Sequence, residues 1–146
     1  MDRAIIVDLD GTLCDCEHRV HHVQKENKDW KSFNDKMVDD ELNIWCAHLI
    51  ESMNSNGFKI IFVTGRDENY RPHTEEWLAK HQINYHQLYM RPAKDIRGDN
   101  EIKKEIYQNS IKDKLDILFV VDDRLSVVKM WRSIGLVCLQ CDWGDF

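Results

Sequence analysis

Apolar residues fall along the 146-residue chain in short runs separated by amphipathic stretches. Five runs have the length and content of strands: 3–8, 59–64, 86–90, 117–122 and 136–140. Between them the apolar period changes to that of a helix. Leu42, Trp45, Cys46, Leu49, Ile50 and Met53 share one face until Gly57 stops the pattern. Pro72 suits the first turn of a second helix, with Trp77 and Leu78 turned to the core. Asp99 is a candidate N-cap for a third helix carrying Ile102, Ile106 and Tyr107. Leu125, Val128, Trp131 and Ile134 mark a fourth, ended by Gly135. Strand alternating with helix predicts an α/β fold, a mostly parallel five-stranded sheet covered on both faces. Such sheets carry their sites at the carboxyl ends of the strands. The stretch 14–40 shows no clear period, is rich in His, Lys and Asp, and is expected to form a loop or small cap over that rim. No repeat, low-complexity tract or linker interrupts the pattern, so a single domain over 1–146 is expected, with 14–40 as an insertion in it.

Composition narrows the options. Apolar residues are 42 % and charged residues 32 %, ordinary for a globular protein. A net charge of −6 argues against gripping long duplex nucleic acid through many phosphate contacts, although it leaves room for a local basic pocket. No apolar run is long enough to span a bilayer and no signal-peptide pattern is present. The five cysteines are an odd number, which together with the missing export signal predicts reduced thiols in a cytoplasmic protein. Cys14-x-Cys16 and Cys138-x-x-Cys141 are unusual spacings for zinc, and separate thiols explain them better.

The chemistry gathers just past the strands. After the first come Asp8 and Asp10, after the second Thr64, Gly65 and Arg66, and after the fourth Asp122, Asp123 and Arg124. Lys103 and Lys104 lie in the helix before that fourth strand. Each element alone has an ordinary reading as a cap, a turn or a solvated face; together on one rim they suit phosphoryl transfer. A carboxylate, Asp8, can attack phosphorus and form an acyl phosphate. Mg²⁺ offsets its repulsion from an anionic phosphate and takes hard oxygen ligands, which Asp8, Asp122 and a backbone carbonyl can supply, with Asp123 beside them. Asp10 can act as general acid and base if its pKa is raised while Asp8 stays ionised. The Thr64 hydroxyl and nearby N–H groups can hold phosphate oxygens while a lysine answers the developing charge.

This set resembles the haloacid dehalogenase superfamily of phosphatases: Asp8-Leu9-Asp10-Gly11-Thr12 as its first motif, Thr64 as its second, a lysine as its third and Asp122-Asp123 as its fourth. The resemblance implies a Rossmann-like three-layer sandwich with a small or minimal cap. It also implies Asp8 as nucleophile, Asp10 as general acid/base, and Mg²⁺ on Asp8, the Asp10 carbonyl and Asp122. A closer likeness, over almost the whole chain, is to the 3′-phosphatase domain of phage-type polynucleotide kinase/phosphatases, through "TGRDENY", "YRPHTEEW", "GDNEIKKEIY" and the tail from "VVDDR" onward. Its spacing selects Lys103, nineteen residues before the acidic pair, over Lys104. It places Asp99 where it would fix that ammonium, and Arg19 and Arg66 where guanidiniums would contact phosphate or nucleotide. The chain contains no G-x-x-x-x-G-K-[ST] loop, so kinase activity is not expected.

Arg19, Arg66, Arg71, Arg91, Lys94, Arg97 and Lys103 are expected near the rim, as a basic mouth on an acidic body. His18, His21 and His22 read as a surface cluster. Trp45, Trp77 and Trp131 read as core, whereas Trp30 and Trp143 are candidates to stack a base. The expected activity is removal of 3′-phosphate from DNA or RNA ends, or from nucleoside 3′-monophosphates, in nucleic acid repair beside a separate kinase or ligase. The alternatives are a 5′-(deoxy)nucleotidase acting on free mononucleotides and, more remotely, a non-catalytic phosphate-binding repair scaffold.

Overall fold

The five apolar runs form one parallel sheet: β1 (Asp2–Val7), β4 (Lys59–Asp67), β5 (Gln87–Arg91), β6 (Leu115–Arg124) and β7 (Cys138–Gly144), in the order β5-β4-β1-β6-β7. The structure is a computed structural model that describes residues 1–24 and 27–144. The chain leaves β1 toward β4 and β5, then crosses to the other side for β6 and β7. The carboxyl ends of β1, β4 and β6 therefore meet where the winding reverses, the crevice in which open α/β sheets bind ligands.

Helices cover both faces. On one, α3 (Ile44–Ser55) and α4 (Arg71–Lys80) pack Cys46, Ile50, Trp77 and Leu78 onto Ile5, Val7, Ile60 and Phe62. On the other, α6 (Leu125–Ser133) lays Val127, Val128 and Trp131 onto Ala4, Ile6, Ile61 and Val120. Ahead of it, α5 (Asp99–Ile106) runs into a π-helical turn, Tyr107–Ile111, whose Ile111 joins the same core. Strands buried on both faces read as continuous apolar runs, which is why the sheet was legible. Two of them outrun their apolar runs. β4 continues beyond Thr64 to pair Asp67 with Arg91, and β6 continues beyond Asp122 to pair Arg124 with Gly144. Both ladders shift register there, and the residues that follow, Arg66 on β4 and Asp123 on β6, are polar and still buried, so the strands carry them onto the rim.

The stretch 14–40 is more ordered than its lack of period suggested. β2 (Cys14–Asp15) pairs antiparallel with β3 (Glu41–Leu42), closing the segment at its base. Between them lie α1 (Glu17–Gln24), α2 (Trp30–Asp35) and a 3₁₀ turn at Met37–Asp39. Cys16, Val20, Val23 and Phe33 form its small core. Residues 25 and 26 of this stretch lie outside the described residues. Its helices are too short for an apolar period to emerge, and one inward position is an arginine.

Three local expectations change. Gly98, not Asp99, is the N-cap of α5, and Asp99 is its first residue. Leu42 belongs to β3 rather than to α3. Trp45 is about half exposed, whereas Trp77 and Trp131 are core residues as read. All five cysteines are free thiols. Among the described residues, no helix is long and apolar enough to cross a membrane.

Candidate active site

Asp8 is the first residue past β1, and its N–H donates to the Val121 carbonyl at 3.0 Å, continuing the sheet. That bond fixes its carboxylate beside those of Asp122 and Asp123 on β6; ligating oxygens of the three lie within 4.8 Å of one another. Lys103 reaches in from α5 with its side chain 2 % exposed, and its Nζ donates to Asp8 Oδ1 and Asp122 Oδ2, each at 2.9 Å. Lys104 is exposed, so of the two lysines it is Lys103 that the structure brings to the acids. The Thr12 hydroxyl lies 3.4 Å from Asp8 Oδ2, and the Asp123 N–H donates to Asp122 Oδ1 at 2.9 Å. Gly11, at φ +82°, permits the approach of Asp123: a Cβ there would stand 2.1 Å from Asp123 Oδ2.

Three carboxylates crowd one ammonium, which bonds two of them, and Asp8 and Asp123 show the imbalance. Burial, then the charge of Asp122, pushes Asp8 well above the usual carboxylate range despite Lys103. Burial and Asp122 push Asp123 up to about 6. Burial opposes the charge on Lys103, but Asp122 and Asp8 overcome it and hold the ammonium firmly protonated. A compact all-oxygen set with surplus negative charge fits a hard divalent cation such as Mg²⁺.

Beside this cluster lies a second. Arg19, from α1, is fully buried. It donates to Asp10 Oδ1, to Asp40 Oδ1 at 2.8 Å and Oδ2 at 2.6 Å, and to the Phe33 carbonyl at 3.0 Å. Its guanidinium carbon lies 4.2 Å from the Phe33 ring centroid. Arg66, from β4, donates to Asp10 Oδ1 at 2.7 Å and to the Thr74 hydroxyl at 3.0 Å. His18 Nε2 lies 2.7 Å from Asp40 Oδ1, and the Asp40 carbonyl accepts from Trp77 Nε1 at 3.0 Å. Burial alone would raise Asp10, but Arg19 and Arg66 overcome it and hold the carboxyl well below the usual range. These directions run opposite to the expectation of a raised Asp10 beside an ionised Asp8, because the arginines lie on Asp10 and the crowded acids lie on Asp8. The same geometry turns Arg19 and Arg66, expected on the phosphate, toward Asp10 and Asp40. Cys14 joins Asp10 and Asp40 at ligating distances, but the two guanidiniums already answer that group's charge.

Both clusters open to a cavity of about 360 Å³. Asp8, Asp10, Gly65, Arg66, Asp99, Lys103, Asp122 and Asp123 all line it. Thr64 and Arg19 lie behind its wall; the Thr64 hydroxyl accepts the Arg66 N–H at 3.1 Å. Asp99 does not bond the Lys103 ammonium as expected. Its carboxylate holds Arg91 and, at 2.8 Å, Arg124, while its charge still favours the lysine's protonated form. Gly65 allows this, since a Cβ there would meet Asp99 Oδ1 at 2.3 Å. The mouth is not basic. Among the described residues, seven aspartates line the cavity against four arginines and one lysine, with Arg71 and Lys94 outside it. Arg71 is engaged by Glu68 and Glu75. Sequence reasoning missed Asp40, which ends a stretch without period, and the wall formed by Trp30, Phe33 and Asn34. Among the described residues, neither the histidines nor the cysteine pairs gather into a metal-ligating group of their own.

The family described as the polynucleotide kinase PNKP phosphatase domain matches residues 2–146. A chain in the structure of the Pnkp1/Rnl/Hen1 RNA repair complex matches the whole of this chain at 38 % identity with a TM-score of 0.88, and this chain spans 44 % of it. A protein of Autographa californica nuclear polyhedrosis virus, "Putative bifunctional polynucleotide kinase/RNA ligase", is 28 % identical over 92 % of this chain, which covers 18 % of the viral protein. The chain thus spans less than half the length of each. The class C acid phosphatase from Bacillus anthracis shares the fold, with a TM-score of 0.65 at 21 % identity over 87 % of this chain and 54 % of that one.

Proposed function

Because the chain belongs to the phosphatase-domain family of polynucleotide kinase phosphatases, we propose that it is a Mg²⁺-dependent phosphomonoesterase that removes 3′-phosphate from polynucleotide ends or nucleoside 3′-monophosphates. The observation that carries this reading is the contact of one buried lysine with both Asp8 and Asp122 on the floor of the cavity. A carboxylate held there is aimed, desolvated and countered by charge, as a phosphoryl-accepting nucleophile must be.

Asp8 attacks phosphorus and forms an aspartyl phosphate as the bond from phosphorus to the 3′-oxygen breaks. Water then attacks that phosphorus, the acyl phosphate bond breaks, and the Asp8 carboxylate and inorganic phosphate are regenerated. Asp10, held ionised by Arg19 and Arg66, is in the state of a base able to take the proton of that water. In the first step the 3′-oxygen leaves with a proton drawn from solvent through Asp10, and in the second Asp10 passes the proton of the attacking water back to solvent, so one proton enters and one leaves in each turnover. Asp8, Asp122 and the Asp10 carbonyl are the residues that would hold Mg²⁺, with Asp123 completing the acidic set; the ion offsets the repulsion between nucleophile and phosphate. Lys103 holds Asp8 in line and meets the transferring oxygens. Thr64 acts one step back, through its bond to the backbone of Arg66. The segment 14–40 serves as the cap. The names of the two relatives point to RNA ends, and a 3′-hydroxyl product suits a ligase acting next, on this or another chain.

The test is phosphate release from 3′- and 5′-phosphorylated oligonucleotides and mononucleotides, with Mg²⁺ and with chelator. Release from 3′-phosphates in Mg²⁺ alone is expected. Turnover confined to 5′-mononucleotides makes the protein a nucleotidase instead. Asp8→Asn is expected to remove turnover by orders of magnitude; full activity in that variant refutes the nucleophile.

A further inference from the structure

The catalytic floor accounts for Asp8, Lys103 and the acids, but not for the apolar part of the cavity wall. Trp30, at the start of α2, lines the cavity with its side chain partly in solvent. Its indole is braced on one side by Phe33, edge-on at 88° with ring centroids 5.5 Å apart. Arg124, held by Asp99, places its guanidinium carbon 5.8 Å from the indole centroid. From the loop between β5 and α5, Ile96 lines the same cavity with 96 % of its surface exposed. That loop is set by Asp95, whose N–H donates to the Pro92 carbonyl at 3.1 Å and whose carboxylate pairs with Arg97 at 2.7 Å.

Phosphate and a divalent cation gain nothing from an indole or an isoleucine. A flat π-system gains from both: stacking on a braced aromatic face loses little conformational entropy, and an apolar side chain excludes water from the same ligand. We propose that Trp30 and Ile96 receive the nucleobase attached to the scissile phosphate, Trp30 by stacking and Ile96 by apolar contact. The enzyme thereby selects phosphomonoesters that carry a base over those that do not. This deepens, and rests on, the 3′-phosphatase reading. A cavity of about 360 Å³ lies at the small end of ligand sites, which suits a single terminal nucleotide rather than a duplex end. Every base has a π-face, so the subsite is tolerant of base identity.

The test compares kcat/KM for an oligonucleotide ending in a 3′-phosphorylated nucleotide with that for the same oligonucleotide ending in an abasic 3′-phosphate. Wild-type protein is expected to prefer the base-bearing end by about tenfold or more. Trp30→Ala is expected to bring that ratio close to one, Trp30→Phe to preserve most of it, and Ile96→Ala, at a side chain too exposed to matter for folding, to lower it by a few-fold. Equal kcat/KM for the two ends in wild type, or an undiminished ratio in Trp30→Ala, overturns the subsite while leaving the phosphatase reading intact. Absence of release from every phosphorylated end overturns that reading, and the subsite with it.

Discussion

Two buried acidic clusters sit side by side beneath the cavity, built from the same residue type at similar depth, and they differ in their cations. The ammonium of Lys103 bonds Asp8 and Asp122, and Asp123 stands beside them. Asp10 and Asp40 are met by two guanidiniums, those of Arg19 and Arg66. Both groups place ligating atoms at metal-binding distances. In the first, Asp8 and Asp123 are pushed toward protonation; in the second, Asp10 is pulled toward ionisation by the guanidiniums, while burial raises Asp40. Ligand spacing alone therefore does not identify a metal site here. The uncompensated charge marks the first as the candidate metal site, and the compensated cluster instead holds a carboxylate and the segment 14–40 in place.

The sharpest way to break this contrast is Asp122→Asn. It removes one carboxylate from the deficient cluster and one partner of Lys103. Phosphate release is expected to fall roughly a thousandfold, about 4 kcal/mol of transition-state stabilisation. The metal-free fold should survive, because a repelling charge has gone, and a thermal melt in chelator checks this. Retained turnover would detach the cluster from the chemistry.

Asp40→Asn tests the other cluster, and its main effect is expected on stability. Two buried guanidiniums would be left with one carboxylate, and breaking such a pair costs about 3 kcal/mol. Denaturant unfolding measures this. Activity should fall less than in Asp122→Asn, because Asp8 and Lys103 are untouched and only the clamp on Asp10 loosens. A loss of activity as deep as that of Asp122→Asn, with stability unchanged, would reverse the assignment of the two clusters.

The difference between the clusters also explains what was legible in the sequence. Asp8, Asp122 and Asp123 stand where apolar strands turn to charge, and Lys103 lies on the amphipathic helix α5, so pattern brings them toward one rim. Lys103 was separable from Lys104 only by resemblance, although its inward helical position agrees. Asp40 and the contacts of Arg19 were not legible. They depend on how α1, α2 and β3 fold back, and those elements are too short to carry a period. Trp30 was readable as a candidate stacking residue but not as a cavity wall. The partners of Asp99 were hidden for a different reason. Sequence spacing places it one helical turn from Lys103, whereas its side chain is drawn away by two arginines from other elements.

Mg²⁺ itself sharpens the comparison at a smaller scale. At about a hundredfold excess over its Kd, an ion that binds only the folded state stabilises by about 2.7 kcal/mol. A rise in Tm with Mg²⁺ is expected for wild type and for Asp40→Asn, and not for Asp122→Asn. The reverse pattern, with Asp40→Asn losing the response, would place the ion in the arginine-bearing cluster.

The smallest effect belongs to Cys14, the thiol that makes the second cluster look like a soft-metal site. It is fully buried, and burial pushes its thiol far from the thiolate that a metal ligand must be. Arg66 Nη2 lies 3.6 Å from its sulfur, and that guanidinium also serves Asp10 and Asp40. A metal at this position would have to displace a cation that already bonds Asp10, Cys14 and Asp40, and Thr74 besides. Cys14→Ser keeps the volume and offers Arg66 a hydroxyl oxygen in place of sulfur. It is expected to change stability by no more than about 1 kcal/mol and to leave both the Mg²⁺ response of Tm and the zinc content of the purified protein unaltered. A stoichiometric zinc lost on this substitution would show that the guanidiniums do not close the cluster, and the distinction between the two acidic sites would fall with it.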